Sequence, residues 1–130
     1  MKKIAIIGAG ISGLYIANLF KDRKDYQVTI YEKKDSIEME EGYGIQLSVN
    51  SVKLLNKIGF ASLKEEEKFN PKKIDFYEIK NSKKICDLDI SKFNSEDCKY
   101  TTLKRSKLLK FLKKEINEDI IRYNHSIEQI

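Results

Sequence analysis

Residues 2–13 have the sequence Lys2-Lys3-Ile4-Ala5-Ile6-Ile7-Gly8-Ala9-Gly10-Ile11-Ser12-Gly13. The apolar run predicts a buried strand, and a G-x-G-x-x-G motif follows it directly and opens a helical pattern. In such a turn, Gly8 permits the tight bend, Gly10 lets the backbone approach a pyrophosphate, and Gly13 lets the helix pack closely on the strand. The free N–H groups at the start of the helix favour an anion. The motif therefore predicts a first β-α unit that binds phosphate.

A second strand pattern, Gln27-Val28-Thr29-Ile30-Tyr31, ends in the acidic residue Glu32. Glu32 lies 19 residues after Gly13, near the position at which a carboxylate meets the ribose 2′-hydroxyl of a bound dinucleotide. A carboxylate there also disfavours a 2′-phosphate. The two elements together predict a dinucleotide with an unphosphorylated adenosine ribose, FAD or NAD rather than NADP. The alternative role for Glu32 is a solvated acid at the end of a strand.

Residues 1–20 also resemble a secretory signal, because two lysines precede a mostly apolar run. Three observations favour the β-α unit instead. The glycines have the fingerprint spacing, no small-x-small cleavage site precedes the charged residues 21–24, and Glu32 follows at the expected distance. A membrane span needs about 20 apolar residues, and three glycines interrupt this run. We therefore expect a cytoplasmic location.

The composition is that of a single globular domain, with 130 residues of which 41% are apolar and 35% charged. The net charge of +5 comes from lysines spread along the chain, and no nucleic-acid-binding signature accompanies them, so nucleic acid is not expected as a partner. Two cysteines are too few for a disulfide framework, and His125 has no ligand partner at metal-binding spacing. We expect no metal site, and a buried, unreactive thiol at Cys86.

The remaining periodicity predicts an α/β fold into which a second, antiparallel sheet is inserted. Residues 85–90 alternate apolar and polar side chains, the pattern of a half-solvated antiparallel strand, and residues 74–79 are its expected partner across a turn at Asn81 and Ser82. The predicted architecture is a Rossmann-like β-α-β core with the start of an inserted antiparallel β-sheet. We expect one domain of residues 1–130, with residues 70–100 as the inserted hairpin region.

The individual elements are predicted from apolar spacing and from helix-capping residues. The second helix has Ser48 or Asn50 as its N-cap and Gly59 just past its end. The predicted strands cover 2–7, 27–32, 74–79, 85–90 and 120–123, and the predicted helices cover 11–22, 49–58 and a segment that opens at Arg105 and Ser106.

Three blocks of the chain stand in the order typical of one flavoprotein family. They are the motif from Gly8 to Gly13 with Glu32, the block Gly42-Tyr43-Gly44-Ile45-Gln46-Leu47-Ser48-Val49-Asn50, and the block Leu103-Lys104-Arg105-Ser106-Lys107-Leu108-Leu109. Over nearly all of its length the chain resembles the N-terminal portion of the FAD-dependent aromatic-ring monooxygenases, which include salicylate-hydroxylase-like and ubiquinone-biosynthesis hydroxylases. The resemblance implies binding of FAD and, in a complete enzyme, hydroxylation of an aromatic ring with NAD(P)H and O₂.

The resemblance also implies where the cofactor binds. Arg105 would contact its phosphate–ribitol region, and a planar guanidinium just before a helix N-terminus suits bidentate anion binding, although a surface salt bridge is the alternative. No catalytic side chain is implied. The implied FAD-binding residues are Gly8, Gly10, Ile11, Ser12 and Gly13 at the pyrophosphate, Glu32 with adjacent Lys33 at the adenosine ribose, Gly44 and Ile45 beside the flavin, and Arg105.

The chain departs from the family in several respects. Val49 stands where the family has proline, the turn at residues 24–26 lacks the customary glycine, and the family's later Asp-Gly and Gly-Asp segments and its substrate-binding sheet do not occur. We therefore expect a truncated domain that is inactive in isolation, with a separate polypeptide that supplies the C-terminal segments as one candidate partner. The alternatives are a non-catalytic dinucleotide-binding fragment and an NAD-dependent module.

Overall fold

The computed structural model describes residues 1–39 and 42–129, and every structural statement below concerns these residues. Glu40, Glu41 and Ile130, which fall within the predicted domain, lie outside them. The chain forms two compact units. The first unit consists of residues 1–43 and 105–130, and the second consists of residues 44–104.

The predicted strands and helices occur in the predicted order, with bounds that differ by a residue or two, and the structure adds two strands that were not predicted, Gly44–Leu47 and Thr101–Lys104. The strands are β1 (Lys2–Ile7), β2 (Tyr26–Tyr31), β3 (Gly44–Leu47), β4 (Lys73–Tyr77), β5 (Lys84–Asp89), β6 (Thr101–Lys104) and β7 (Ile121–Arg122). The helices are α1 (Ile11–Phe20), α2 (Val49–Asn56) and α3 (Arg105–Lys114). Short 3-10 turns occur at Phe60–Ser62, Glu65–Glu67, Ser91–Phe93 and Glu118–Ile120.

The first unit is a parallel sheet in the order β1-β2-β7 with two packed helices. Strands β1 and β2 pair in register from Lys2–Tyr26 to Ile7–Tyr31, so their carboxyl ends lie side by side. The apolar side chains that the helical spacing places on one face are almost completely buried, and they include Leu14, Leu108, Leu109 and Leu112. This packing accounts for the helices, because apolar burial rather than intrinsic propensity stabilises helices of this length.

One buried polar side chain joins the two helices of the first unit. The Asn18 amide donates hydrogen bonds to the carbonyl oxygens of Leu14, at 2.9 Å, and Leu112, at 2.7 Å. Asn18 is 7% exposed, so both bonds are shielded from water. A buried amide that is satisfied in this way fixes helix α1 against helix α3.

The second unit contains the antiparallel pair β3–β6, helix α2 and the hairpin β4–β5. Its core includes Leu47, Val52, Leu55, Phe60 and Leu103. The Ser48 hydroxyl accepts a hydrogen bond from the Ser51 N–H at 3.4 Å, which confirms Ser48 as the N-cap of α2. Gly59 has a left-handed backbone (φ +90°) just after the helix, as its role as a helix terminator predicts.

The β4–β5 hairpin confirms the predicted antiparallel sheet, but one prediction about it is wrong. Cys86 is exposed rather than buried, and so are the other residues of β5; only Ile90, just past the strand, is buried. The alternating pattern fixed which side chains share a face. Phe76 and Leu88, on the same face as Cys86, are exposed as well, and the thiol is accessible to solvent.

Two further observations concern the described part of the chain as a whole. None of its helices combines the length and the apolar character that a membrane crossing requires. Within residues 1–39 and 42–129, no three His, Cys, Asp or Glu side chains are arranged to hold a metal ion.

Candidate functional site

The glycine motif forms the turn between β1 and α1. The Gly8 backbone is left-handed (φ +94°), and Gly10 is the N-cap of α1 with an extended backbone and no side-chain capping bond. The first N–H groups of the helix, including those of Ile11 and Ser12, therefore lie at an N-terminus that no side chain of its N-cap residue covers. Such an N-terminus attracts an anion through its free N–H groups and the helix dipole.

Gly10 and Gly13 are required for different reasons. A Cβ atom placed on Gly13 would lie 2.0 Å from the Gly8 carbonyl oxygen and 3.2 Å from Cγ2 of Ile6, so helix α1 packs on β1 too closely for any side chain. A Cβ atom placed on Gly10 would meet no atom within 4 Å. The fold itself therefore requires glycine at residue 13, whereas the open space at Gly10 is available to a ligand.

Glu32 follows β2 and fixes the glycine turn to the end of that strand. Its Oε2 accepts a hydrogen bond from the Ala9 N–H at 2.7 Å, and its Oε1 accepts one from the Lys34 N–H at 3.0 Å. Sequence reasoning predicted Glu32 but not its bond to Ala9. The bond could have been predicted, because Ala9 and Glu32 follow two adjacent parallel strands, whose carboxyl ends lie at the same edge of the sheet.

The environment of Glu32 keeps its carboxylate ionised. Partial burial by itself would raise the pKa of Glu32, but the hydrogen bonds from the Lys34 and Ala9 N–H groups and the charge of Lys33 hold it below its ordinary value of 4.5. At neutral pH the site therefore presents a negative charge to a ligand.

Glu32→Gln should change how the stability of the chain depends on pH. Because the pKa of Glu32 is lower in the folded chain than its ordinary value of 4.5, its stabilising contribution is complete above that value and is lost as the pH falls through the folded pKa. Urea unfolding between about pH 6 and pH 3 should therefore show a smaller loss of unfolding free energy for Glu32→Gln than for the wild type. Glu128→Gln alters an exposed carboxylate and serves as the control. Identical pH profiles for the wild type and Glu32→Gln would contradict this assignment.

Arg105 approaches the glycine turn from a distant part of the chain. It is the first residue of α3, its N–H donates to the Tyr43 carbonyl at 3.0 Å, and its guanidinium donates to the Glu38 carbonyl at 3.1 Å. The guanidinium lines a small cleft of about 120 Å³. The other residues that line this cleft are Ala9, Gly10, Glu32, Lys34, Ser36, Ile37 and Glu38.

The segment between β2 and Met39 contributes Lys34, Ser36, Ile37 and Glu38 to the lining of this cleft. Lys34 Nζ and Glu38 Oε1 form an ion pair at 2.6 Å, four residues apart. This ion pair links the two ends of residues 34–38, and the carbonyl oxygen of Glu38 accepts the hydrogen bond from the Arg105 guanidinium. Charge spacing in the sequence could have indicated the pair, but not its position at the cleft.

A second cavity, of about 320 Å³, is also lined by Glu32. Its walls include the apolar or aromatic side chains of Ile7, Tyr31 and Ile127 together with Lys33 and His125. The His125 N–H donates to the Glu32 carbonyl at 2.9 Å, which holds the segment after β7 beside the end of β2. Nothing in the sequence indicated this position for His125, which arises from the pairing of β2 with β7.

The structure thus brings most of the predicted site residues together in the first unit, in three segments. Gly8 to Gly13 form the turn, Glu32 and Lys33 follow β2, and Arg105 begins α3. The two remaining predicted residues belong to the second unit. Gly44 is exposed at the start of β3 opposite Lys104, and Ile45 is half-buried opposite Leu103.

Known proteins are similar to this chain both in sequence and in structure. Residues 6–38 match the family described as the NAD(P)-binding Rossmann-like domain. The 3-amino-4-hydroxybenzoate 2-monooxygenase of Streptomyces platensis is 38% identical over 63 residues, which is 48% of this chain but 15% of that relative. The corresponding enzyme of Streptomyces cremeus is 39% identical over 57 residues, covering 44% of this chain and 14% of that relative.

Solved structures extend the similarity to almost the whole chain. The 2,6-dihydroxypyridine-3-hydroxylase of Arthrobacter nicotinovorans superposes with a TM-score of 0.70 at 15% identity, covering 95% of this chain and 28% of that one. HpxO of Klebsiella pneumoniae, complexed with FAD and uric acid, superposes with a TM-score of 0.70 at 20% identity. The match covers 95% of this chain and 31% of that one. These comparisons confirm the predicted Rossmann-like α/β fold and the similarity to flavin-dependent monooxygenases. The chain spans less than a third of the length of these two structures.

Proposed function

We propose that this chain is the FAD-binding portion of a flavoprotein monooxygenase that hydroxylates an aromatic substrate with NAD(P)H and O₂. The observation that carries the proposal is the meeting of the glycine turn, the ionised Glu32 and the Arg105 guanidinium around one cleft. Relatives that are monooxygenases of an aromatic acid, and a structural neighbour complexed with FAD, support the same assignment.

The proposed pyrophosphate position is the N-terminus of α1. The turn residues Gly8, Gly10 and Gly13 and the first helical residues Ile11 and Ser12 would present backbone N–H groups to the phosphates. Arg105 adds a guanidinium to the lining of the same cleft, where it would offset the charge of the diphosphate. The site therefore combines backbone dipoles with the positive charge of the Arg105 guanidinium.

The proposed adenosine position lies around Glu32. Its two oxygens each accept one backbone N–H, and an ionised carboxylate has about four acceptor positions, so capacity remains for ribose hydroxyls. Its negative charge would repel a 2′-phosphate, which favours FAD or NAD over NADP. The neighbouring cavity is lined by Ile7, Tyr31 and Ile127, apolar or aromatic side chains of the kind that pack against a purine base.

A bound flavin would supply the redox chemistry, accepting hydride equivalents from NAD(P)H and activating O₂ toward the aromatic ring. The residues of this chain would bind and orient the cofactor. We propose the backbone of Gly44 and Ile45 as the flavin-proximal part, and residues 1–130 as one FAD-binding domain with residues 70–100 as its inserted hairpin region. We also propose a cytoplasmic location, which the free thiols of Cys86 and Cys98 support.

Arg105→Ala should weaken FAD binding about tenfold or more, because a charge-assisted hydrogen bond contributes about 1.5–3 kcal/mol. Quenching of flavin fluorescence during titration of the purified chain measures the dissociation constant. Arg23→Ala is the matched control, since Arg23 pairs with Asp25 ahead of β2 and should leave FAD affinity unchanged. A wild-type chain that does not bind FAD, or equal affinities for both variants, would overturn the proposal.

The second candidate is an NAD-dependent module or a non-catalytic dinucleotide-binding fragment, which the match of residues 6–38 to an NAD(P)-binding family favours. The same titration distinguishes the candidates. NAD⁺ should displace FAD only weakly if the flavoprotein assignment holds, whereas tight NAD⁺ binding without FAD binding would support the alternative. NADP⁺ should bind worst in either case, because of the charge on Glu32.

We further propose that a polypeptide carrying the remaining segments of the flavoprotein covers one face of the β4–β5 hairpin. The register places Ile74 opposite Leu88 and Phe76 opposite Cys86, so these four side chains share one apolar face. Phe76 and Leu88 are each 48% exposed. The other face carries charged side chains, with Lys84 paired to Asp75 and Asp87. A two-stranded sheet with an uncovered apolar face gains stability from a packing partner.

Lysine substitutions on this face should abolish co-purification of such a polypeptide. We would express the tagged chain together with a polypeptide that contains the family's Gly-Asp flavin segment, and compare recovery of the pair. The double variant Phe76→Lys with Leu88→Lys should lose the partner, because two charges would then be buried against an apolar surface. Ile79→Lys, at the 99% exposed Ile79, is the control and should retain it. Unchanged recovery with the double variant would argue against this docking face.

A further inference from the structure

Gly42 lies against the side chain of Arg105 within the first unit. A Cβ atom placed on Gly42 would be 3.0 Å from Cδ and 3.9 Å from Nε of Arg105. The following residue, Tyr43, accepts the Arg105 backbone N–H at 3.0 Å. The backbone at residues 42 and 43 is therefore in contact with Arg105 at its main chain and along its alkyl stem.

The Arg105 side chain passes close to Gly42 on its way to the cleft. Beyond Cδ, the guanidinium donates to the Glu38 carbonyl and lines the cleft that also contains Gly10 and Glu32. A methyl group at residue 42 would meet Cδ at 3.0 Å, closer than an ordinary van der Waals contact, so the stem would have to shift by a few tenths of an ångström and would move the guanidinium with it. Gly42 also has a left-handed backbone (φ +90°), which L-residues with a side chain rarely adopt.

We propose that Gly42 is a positioning residue for Arg105: because it lacks a side chain, it leaves the space through which the guanidinium reaches the phosphate cleft. The inference rests on the proposed function, in which this cleft holds the pyrophosphate of FAD. It assigns to Gly42 a role in cofactor affinity that its backbone conformation alone does not require.

A purely conformational role for Gly42 makes a different prediction, and the chain offers a matched control. Gly59 has the same φ of +90°, and a Cβ atom placed on it would meet no atom within 4 Å. Gly59→Ala therefore imposes a comparable backbone strain with no neighbouring side chain to displace. Both alanine variants should lower the midpoint of thermal unfolding, but only Gly42→Ala should change the affinity for FAD.

The test is a double-mutant cycle in FAD titrations of the full chain. We expect Gly42→Ala to raise the dissociation constant about tenfold with Arg105 present and less than about twofold in the Arg105→Ala background, because alanine at residue 105 has no Cδ for the new methyl group to meet. Equal effects of Gly42→Ala in both backgrounds, or an equal effect of Gly59→Ala, would overturn the inference.

A second readout keeps this inference separate from the proposed function. In the chain without cofactor, Gly42→Ala should shift the NMR signal of the Arg105 side-chain Nε–H group, and Gly59→Ala should leave it in place. Failure of the wild type to bind FAD defeats the proposed function, while the Nε–H signal still tests the positioning of Arg105. An unshifted signal in Gly42→Ala overturns the positioning role.

Discussion

Gly13→Ala should destabilise the chain by about 3 kcal/mol or more, at the upper end of the range for overpacked positions. The added methyl group would lie 2.0 Å from the Gly8 carbonyl oxygen, a backbone atom that cannot rotate away. Relief would require helix α1 to move off β1, and α1 also holds Leu14 and Asn18 in the core. Because small domains are stable by only about 5–15 kcal/mol, a large share of the unfolding free energy would be lost.

Urea unfolding followed by circular dichroism measures this effect. Gly10→Ala is the matched control, since it adds the same methyl group to the same motif where no atom lies within 4 Å. Its unfolding free energy should fall by only about 1 kcal/mol, because Gly10 is the N-cap of α1 and alanine is a poorer N-cap than glycine. If Gly13→Ala unfolds at the same urea concentration as Gly10→Ala, the close packing of α1 on β1 is not a source of stability.

Gly10→Ala should nevertheless weaken FAD binding at least about tenfold, which corresponds to about 1.4 kcal/mol. The space that its methyl group would occupy is empty in the chain alone and faces the cleft lined by Glu32 and Arg105. A pyrophosphate would have to sit farther from the N–H groups of Ile11 and Ser12, and hydrogen bonds to charged groups weaken steeply with distance and misalignment. We therefore expect Gly13→Ala to reduce mainly the stability of the fold and Gly10→Ala to reduce mainly the affinity for FAD.

The affinity is measured by the same flavin-fluorescence titration as for Arg105→Ala. Ser12→Ala is the control within the motif, because it removes a side chain but retains the backbone N–H that the proposal assigns to phosphate. It should bind FAD within a few-fold of the wild type. Tight binding by a folded Gly10→Ala variant would mean that the phosphates do not approach this turn.

Local chemistry explains which parts of the fold could be predicted from the sequence. The glycine spacing, the apolar run before it and the position of Glu32 all reflect contacts within one β-α-β unit, and the structure has β1, α1 and β2 in that order. The meeting of Arg105 with the segment after β2 has no such local signal, because Arg105 and Glu38 are 67 residues apart. Only the resemblance to a family indicated a role for Arg105.

The exposed thiol of Cys86 shows a different reason for failure. Alternation along β5 indicates which side chains point the same way, but not whether another part of a protein lies over them. The same limit applies to Gly42, for which the sequence alone indicates no role. Its importance depends on a 3.0 Å approach to a side chain from a distant segment.

The Asn18–Leu112 hydrogen bond has a consequence for the order of folding. It links residues 94 positions apart, and the first unit consists of residues 1–43 and 105–130, so this unit cannot be completed during synthesis until α3 has left the ribosome. The second unit is continuous in sequence and can assemble from nearer contacts meanwhile. Because contacts of long sequence separation slow folding, we expect the sheet that carries the glycine turn to form last. Until then its apolar strands are exposed, and a nascent chain stalled before α3 would be prone to aggregation.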